Sequence, residues 1–147
     1  MIIAPNHTSF TVSDMDRSLA FFRDLLGMEL ISDRIAGPEF AGKVTGIPGA
    51  ELRVVYVQAA GYKLELIQYL KQQGEKLEPR TNRPGAVHLC FSVDDVDATY
   101  AGLVARGVKV QAPPQVIPGG PNKDGRGIYC LDPDGITLEF IQPAQAS

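Results

Sequence analysis

The chain carries one pattern twice, and that repeat constrains its fold more than any other feature. His7-Thr-Ser-Phe-Thr-Val-Ser-Asp-Met-Asp16 lies over His88-Leu-Cys-Phe-Ser-Val-Asp-Asp-Val-Asp97. The pairs His7/His88, Phe10/Phe91, Val12/Val93, Asp14/Asp95 and Asp16/Asp97 coincide. Further on, Leu64-Glu-Leu-Ile-Gln68 lies over Leu138-Glu-Phe-Ile-Gln142. Self-similarity of this kind means two copies of one supersecondary unit rather than a single continuous fold. The sequence is therefore divided into a first module over 1–70, a solvated linker over 71–85 and a second module over 86–147. The linker assignment rests on its Gln, Lys, Glu, Arg and Pro content.

Each copy reads the same way. Ala4–Val12 alternates, with His7, Ser9 and Thr11 on one face and Thr8, Phe10 and Val12 on the other, so it is expected to be a half-buried strand. Ser13 and Asp14 can cap a helix running to Leu26, with Asp16 in its favourable first turn and Gly27 just past its end. Strands are expected at Met28–Ile35, Leu52–Ala59 and Tyr62–Tyr69, the last two forming a hairpin around Ala60-Gly61. The second copy gives a strand at Ala86–Val93, a helix at Asp95–Arg106 stopped by Gly107, and strands at Val108–Ala112, Gly127–Leu131 and Ile136–Ile141. Asp132-Pro133-Asp134-Gly135 is a turn. The fold class is α+β: two tandem βαβββ modules.

Composition removes several function classes. The 147 residues are 44% hydrophobic and 21% charged, with a formal net charge of -3. An acidic chain lacks the basic face that a nucleic-acid binder uses to displace counterions from phosphates. No apolar run reaches the roughly 20 residues of a membrane span. Two cysteines, Cys90 and Cys130, are too few for a disulfide framework, so the expectation is a cytoplasmic protein with reduced thiols.

The chain has only two histidines, and they sit at equivalent positions of the two copies. Leu64 and Leu66 should face a core, which turns Glu65 the other way, beside Ile67 and Tyr69. Leu138 and Phe140 do the same for Glu139. Each module thus offers one imidazole and one carboxylate from strands, among small or polar neighbours such as Ser9, Thr11, Cys90 and Ser92. If the modules pair, His7, Glu65, His88 and Glu139 can hold one borderline divalent cation per site: Ni, Co, Zn, Mn or Fe. Ser9, Thr11, Tyr69 and Cys90 are candidate substrate contacts. Arg53, Lys123 and Arg126 are candidate anion contacts, Arg126 foremost. The apolar residues Phe40, Val44 and Ile47, in the loop-like stretch Gly37–Ala50, are expected to pack over the cavity or at a subunit contact. Gly119–Gly125 reads as a flexible loop.

With these residues in view, the chain resembles the vicinal oxygen chelate superfamily, which includes glyoxalase I, methylmalonyl-CoA epimerase, extradiol dioxygenases and fosfomycin- and bleomycin-resistance proteins. The resemblance runs through His7, Val12–Gly27 and Lys63–Ile67, then through Gly85–Asp97 and Asp132–Glu139. It implies strands curved as a mixed sheet around a metal cavity, and it places His7, Glu65, His88 and Glu139 at the four ligand positions. The resemblance also implies a homodimer acting on a small molecule.

A four-ligand set with Glu65 present is similar to that of glyoxalase I and methylmalonyl-CoA epimerase, lyase and isomerase chemistries that abstract a proton next to a chelated carbonyl. By the same resemblance Glu139 is the first candidate base and Glu65 the second. Thr11 and Tyr69 stand where bacterial glyoxalase I has the Arg and Asn that bind glutathione. A small acyl thioester, hydroxy acid or keto acid is the expected substrate. An iron-dependent extradiol dioxygenase and a non-enzymatic drug-binding resistance protein are the alternatives.

Overall fold

A computed structural model describes residues 1–145. The chain forms two compact units, the first Met1–Leu77 and the second beginning at Glu78. That boundary falls within the 71–85 stretch. The last two residues of the expected second module, 146 and 147, lie outside the described residues.

The first unit contains β1 (Thr8–Thr11), α1 (Met15–Leu19), β2 (Glu29–Ala36), α2 (Pro38–Thr45), β3 (Glu51–Ala59) and β4 (Tyr62–Lys71). Its four strands form one sheet in the order β1-β4-β3-β2. β1 runs parallel to β4, and the other neighbours are antiparallel. The second unit contains β5 (His88–Ser92), α3 (Val96–Ala105), β6 (Gln115–Val116), β7 (Arg126–Leu131) and β8 (Thr137–Gln142). Its sheet has the matching order β5-β8-β7-β6, with β5 parallel to β8. Each module is therefore a helix laid on a four-stranded mixed sheet, as the repeat predicts; neither sheet closes into a barrel. Among the described residues no helix is long and apolar enough to cross a membrane.

Side-chain parity decides which face is core. Phe10 and Val12 are buried, as are Leu64 and Leu66, while Ser9 and Thr11 are exposed. Val55 and Val57 of β3 join the same face. Met15, Leu19, Phe21 and Phe22 cover it from the helix. Burying one such side chain is worth roughly 1.5–3 kcal/mol, so this face holds most of the module's apolar stabilisation. In the second module Leu138, Phe140, Ile128 and Cys130 meet Val96 and Leu103 on the equivalent face.

Both helices begin in the same manner. Asp14 accepts from Arg17 N at 3.0 Å and Asp95 from Ala98 N at 2.9 Å. A second capping contact comes from the sheet: Gln68 Oε1 accepts from Met15 N at 2.9 Å, and Gln142 Oε1 from Val96 N at 3.1 Å. These two glutamines close the repeated Leu-Glu-x-Ile-Gln motif. They satisfy helix donors that would otherwise have no partner. A salt bridge is duplicated as well. Arg53 reaches Asp16 at 2.7 Å, and Arg126 reaches the equivalent Asp97.

Four local expectations differ from what is seen. β1 starts at Thr8 and not Ala4, because its parallel partner β4 begins at Tyr62 and the registered pairs start at Thr8↔Leu64. The first helix is not α-helical to its end. Ala20–Leu25 is a π-helical stretch, with Leu26 N bonded to Phe21 O at 3.0 Å, and the wider turn lets adjacent Phe21 and Phe22 both be buried. Gly37–Ala50 is no plain loop: α2 occupies it, with Gly37 at its N-cap, Pro38 in the first turn and Gly46 at φ 72 beyond its end. Pro and Gly there punctuate a helix. Val108–Ala112 keeps only one bridge, Val110 to Cys130, and the two-residue β6 edges the sheet instead.

The turn after β7 hides a carboxylate. Asp132 is 5% exposed; its Oδ1 accepts from Asp134 N at 2.9 Å and Ile136 N at 2.7 Å, while Oδ2 is buried with no partner. Burial pushes its pKa from 3.8 to about 6, against the backbone donors that favour the charged form. The folded state therefore binds this proton more tightly than the unfolded chain does. Its contribution to stability is full below about pH 4 and is lost as pH rises through about 6, a change of roughly 3 kcal/mol. Asp132→Asn should remove this loss. Thermal melts from pH 4 to 7 check it: the variant's gain over wild type should grow with pH, and parallel curves would contradict the assignment.

Candidate metal centre

The face of each sheet turned away from its helix carries the histidine and the glutamate. Cross-strand register places Ser9, Glu65, Tyr56 and Ser32 in one row across β1, β4, β3 and β2. The next row is Thr11, Ile67, Val54 and Arg34. His7, just before β1, folds over Glu65 with Nε2 3.4 Å from Oε2. In the second module Cys90, Glu139 and Tyr129 form the corresponding row. His88 Nε2 lies 3.1 Å from Glu139 Oε2. The parallel pairing of first and last strand is what makes both contacts, because it sets each histidine diagonal to its glutamate.

These pairs have the chemistry of metal donors. His7 Nδ1 lies 2.8 Å from Asn6 Oδ1, an oxygen that can only accept, so Nδ1 carries the hydrogen. In the neutral ring Nε2 is then a lone pair aimed at a carboxylate oxygen. Two lone pairs so placed call for a proton or a cation between them. Donor atoms on one ion, at bonds of about 2.0–2.2 Å, stand roughly 3–3.5 Å apart. The observed 3.4 and 3.1 Å suit that separation. The ring N–H held by a neighbouring oxygen is a usual companion of a ligating histidine. Among the described residues no group of three or more His, Cys, Asp or Glu side chains is gathered to hold an ion alone. Each module thus brings one imidazole and one carboxylate together.

A tyrosine accompanies each pair, and sequence reasoning did not find either one. Tyr56 is the cross-strand partner of Glu65, and its ring stands edge-on to His7 at a centroid separation of 5.3 Å. Burial first, then Glu65, pushes its pKa up to about 12. Tyr129 lies 5.3 Å from the His88 ring, and burial and the Glu139 charge raise it too. The signal was available: a hairpin centred on Ala60-Gly61 sets Tyr56 opposite Glu65.

The other expected site residues divide. Ser9, Thr11 and Tyr69 share the Glu65 face, and Cys90 is beside Glu139. Arg53 and Arg126 are on the helix-side faces, where Asp16, Asp33 and Asp97 hold them. Arg34, not singled out by the sequence reading, is the arginine on the Glu65 face; its charge acts on Tyr56 against the rise. Lys123 sits in a loop tied to itself by Lys123 N to Gly120 O at 3.1 Å and Gly125 N to Asn122 O at 3.0 Å. On the first module α2 packs onto the Glu65 face through Ala41, against Leu52 and Val54, with Tyr56, Ile67 and Tyr69 alongside. Phe40 and Val44 point outward, 60% and 64% exposed.

Cys90 gives a chemical report on its surroundings. Partial burial, then the negative charge of Glu139, push the thiol up to about 12, while Cys90 Sγ donates to Phe91 O at 3.9 Å. At pH 8 it is almost wholly protonated and a poor nucleophile. In metal-free protein, alkylation of Cys90 by iodoacetamide should be at least tenfold slower than that of a free cysteine peptide. Glu139→Gln should speed it several-fold. Equal rates in the two proteins would show that Glu139 does not act on the thiol.

Comparison with known proteins supplies the family. Residues 4–140 match the model of the Glyoxalase/Bleomycin resistance protein/Dioxygenase superfamily. A 2-epi-5-epi-valiolone epimerase from Actinomyces sp. is 33% identical, over 98% of this chain and 82% of the relative. A lactoylglutathione lyase from Haemophilus influenzae is 29% identical, over 92% of this chain and 90% of its own length. A glyoxalase family protein from Bacillus cereus has the same fold, with a TM-score of 0.83 at 20% identity, covering 99% of this chain and 97% of that one. The chain belongs to the glyoxalase/bleomycin resistance protein/dioxygenase superfamily.

Proposed function

We propose that the protein is a divalent-metal-dependent epimerase or isomerase that moves a proton at a carbon next to a carbonyl. The observation that carries this reading is the duplicated contact of an imidazole nitrogen with a carboxylate oxygen, at 3.4 Å in one module and 3.1 Å in the other. His7, Glu65, His88 and Glu139 would together hold one ion, with the two half-sets brought together within a chain or across a homodimer. When bound, such an ion supplies a Lewis acid that polarises the substrate carbonyl.

The protein's own groups do the rest. A carboxylate takes the proton, and Glu139 is assigned that role with Glu65 as the second acid/base candidate. Return of the proton by Glu139 to the neighbouring carbon would isomerise the substrate; inversion would need the proton delivered to the opposite face by a second acid, the role open to Glu65. Buried apolar neighbours of the pair, such as Ile141 beside Glu139, limit water around the carbanion-like state. Four ligands leave two positions for two substrate oxygens, which suits a hydroxy- or keto-acid, a hydroxyketone or an acyl thioester.

Two facts favour epimerisation over glutathione lyase chemistry. The relative at 33% identity is named an epimerase. Thr11 and Tyr69 also lack the cationic and amide groups that the resemblance to bacterial glyoxalase I would call for in binding glutathione.

The test is solvent exchange. Hydroxyketones, keto acids and acyl thioesters are incubated in deuterated water with metal-loaded protein and followed by proton NMR. One class should lose the signal of the proton beside its carbonyl. Glu139→Gln should slow that loss by at least 100-fold, the usual scale for removing a general base. No exchange in any class, or an unchanged rate in the variant, would contradict the proposal.

A further inference from the structure

We propose that Arg34 is a specificity-determining residue, an anchor for a substrate that carries a carboxylate or phosphate at a distance from its chelated carbonyl. The inference rests on the metal-dependent reading above and narrows its substrate class. A β-bulge carries it. Leu30 pairs with Val57 and Ser32 with Tyr56, so Ile31 is an extra residue in β2. One inserted residue turns every later side chain to the other face of the sheet. Past the bulge, Ser32 is opposite Tyr56 and Arg34 opposite Val54, both on the Glu65 face. Asp33 goes to the helix-side face, where Arg53 meets it at 2.7 Å. Without the bulge, Ile31 and Asp33 would stand on the Glu65 face and Arg34 behind it. A carboxylate there would repel an anionic substrate; the bulge exchanges it for a guanidinium.

Two further observations point the same way. Arg53, Arg80, Arg83 and Arg126 are each paired with a carboxylate. Arg34 is exposed and, among the described residues, has no ion-pair partner. In the second module the row that corresponds to Thr11, Ile67, Val54 and Arg34 is Ser92, Ile141, Gly127 and Gln115. Gln115 is neutral, and its amide donates to Pro113 O at 2.8 Å. The His-Glu contact is duplicated, whereas the cation belongs to the first module alone. Arg34 lies two strands across from Glu65 and one row along, about 12 Å between Cα atoms at ordinary sheet spacings. The two long side chains span part of that distance, and a small molecule of a few bonds spans the rest. One end of such a molecule chelates through two oxygens. The other meets the fork of N–H donors that an arginine offers to carboxylate or phosphate. The helix α2, whose Ala41 packs with Leu52 and Val54, walls the face just beyond this row.

Hydroxyacetone, dihydroxyacetone phosphate and δ-hydroxylevulinate share a hydroxyketone head and end in a methyl group, a phosphate and a carboxylate. Their affinities for zinc-loaded protein are measured by calorimetry, beside the deuterium exchange described above. An anionic probe should bind at least tenfold tighter than hydroxyacetone, the scale of a hydrogen bond to a charged group. Which of the two binds tighter tells phosphate from carboxylate. Arg34→Met removes the charge from an exposed side chain; it should erase the preference and leave hydroxyacetone within twofold of wild type. Arg34→Lys restores the charge and should keep the order of the three affinities. Arg106→Met, at the end of α3 in the second module, alters the net charge equally and should change none of them. Equal affinities in wild type, or a preference that survives Arg34→Met, overturn the proposal; deuterium exchange in the same samples would leave the metal reading standing. An Arg34-dependent preference without exchange in any probe sustains the anion anchor and contradicts the proton-transfer reading. Protein that takes up no zinc overturns both.

Discussion

Within each module the first and last strands run parallel and adjacent, and everything at the candidate centre depends on that pairing. A parallel pair cannot be joined by a tight turn, so the chain must leave the sheet, form a helix and a hairpin, and return. The registers Thr8↔Leu64 and His88↔Thr137 are the outcome. They bring a histidine from one end of the module to within 3.4 or 3.1 Å of a glutamate from the other. The helix is tied into the same arrangement. Gln68 and Gln142, three residues beyond the glutamates, cap α1 and α3 at their first residues. One short motif therefore supplies a core face, a carboxylate set against a histidine and a helix cap.

Much of this was legible in the sequence because the face of a strand follows from period two. Leu64 and Leu66 buried, and Glu65 turned away from them, needed no more than alternation. The repeat then did what a single copy could not: it made two unremarkable histidines a pair. What stayed hidden depended on partners distant in sequence. Tyr56 and Tyr129 gain meaning only once the hairpin registers are known. Arg53 and Arg126 read as free cations until Asp16 and Asp97 are found beside them. Arg34 has no local pattern to mark it and reaches the Glu65 face only through the pairing of β2 with β3. The helix α2 was masked by its own Gly and Pro residues, which mark its two ends and admit the returning chain. A Cβ on Gly42 would stand 3.3 Å from Ile47 O.

The two modules have diverged where the repeat is silent. The first has an eight-residue β2 and the helix α2 over its glutamate face, whereas the second has a two-residue edge strand there. Both glutamates have a tyrosine as cross-strand partner, Tyr56 and Tyr129, and on the parallel side Glu65 has Ser9 where Glu139 has Cys90.

The central proposal is that His7, Glu65, His88 and Glu139 serve one ion. Elemental analysis of protein purified without chelator tests it most directly, on wild type, His7→Ala and His88→Ala. One equivalent of Ni, Co, Zn, Mn or Fe per chain in wild type, lost in either single variant, is the predicted result. Two equivalents per chain, with one lost in each variant, would show two separate sites and contradict the account. Wild-type protein without metal, and without uptake on adding these ions, would contradict it outright.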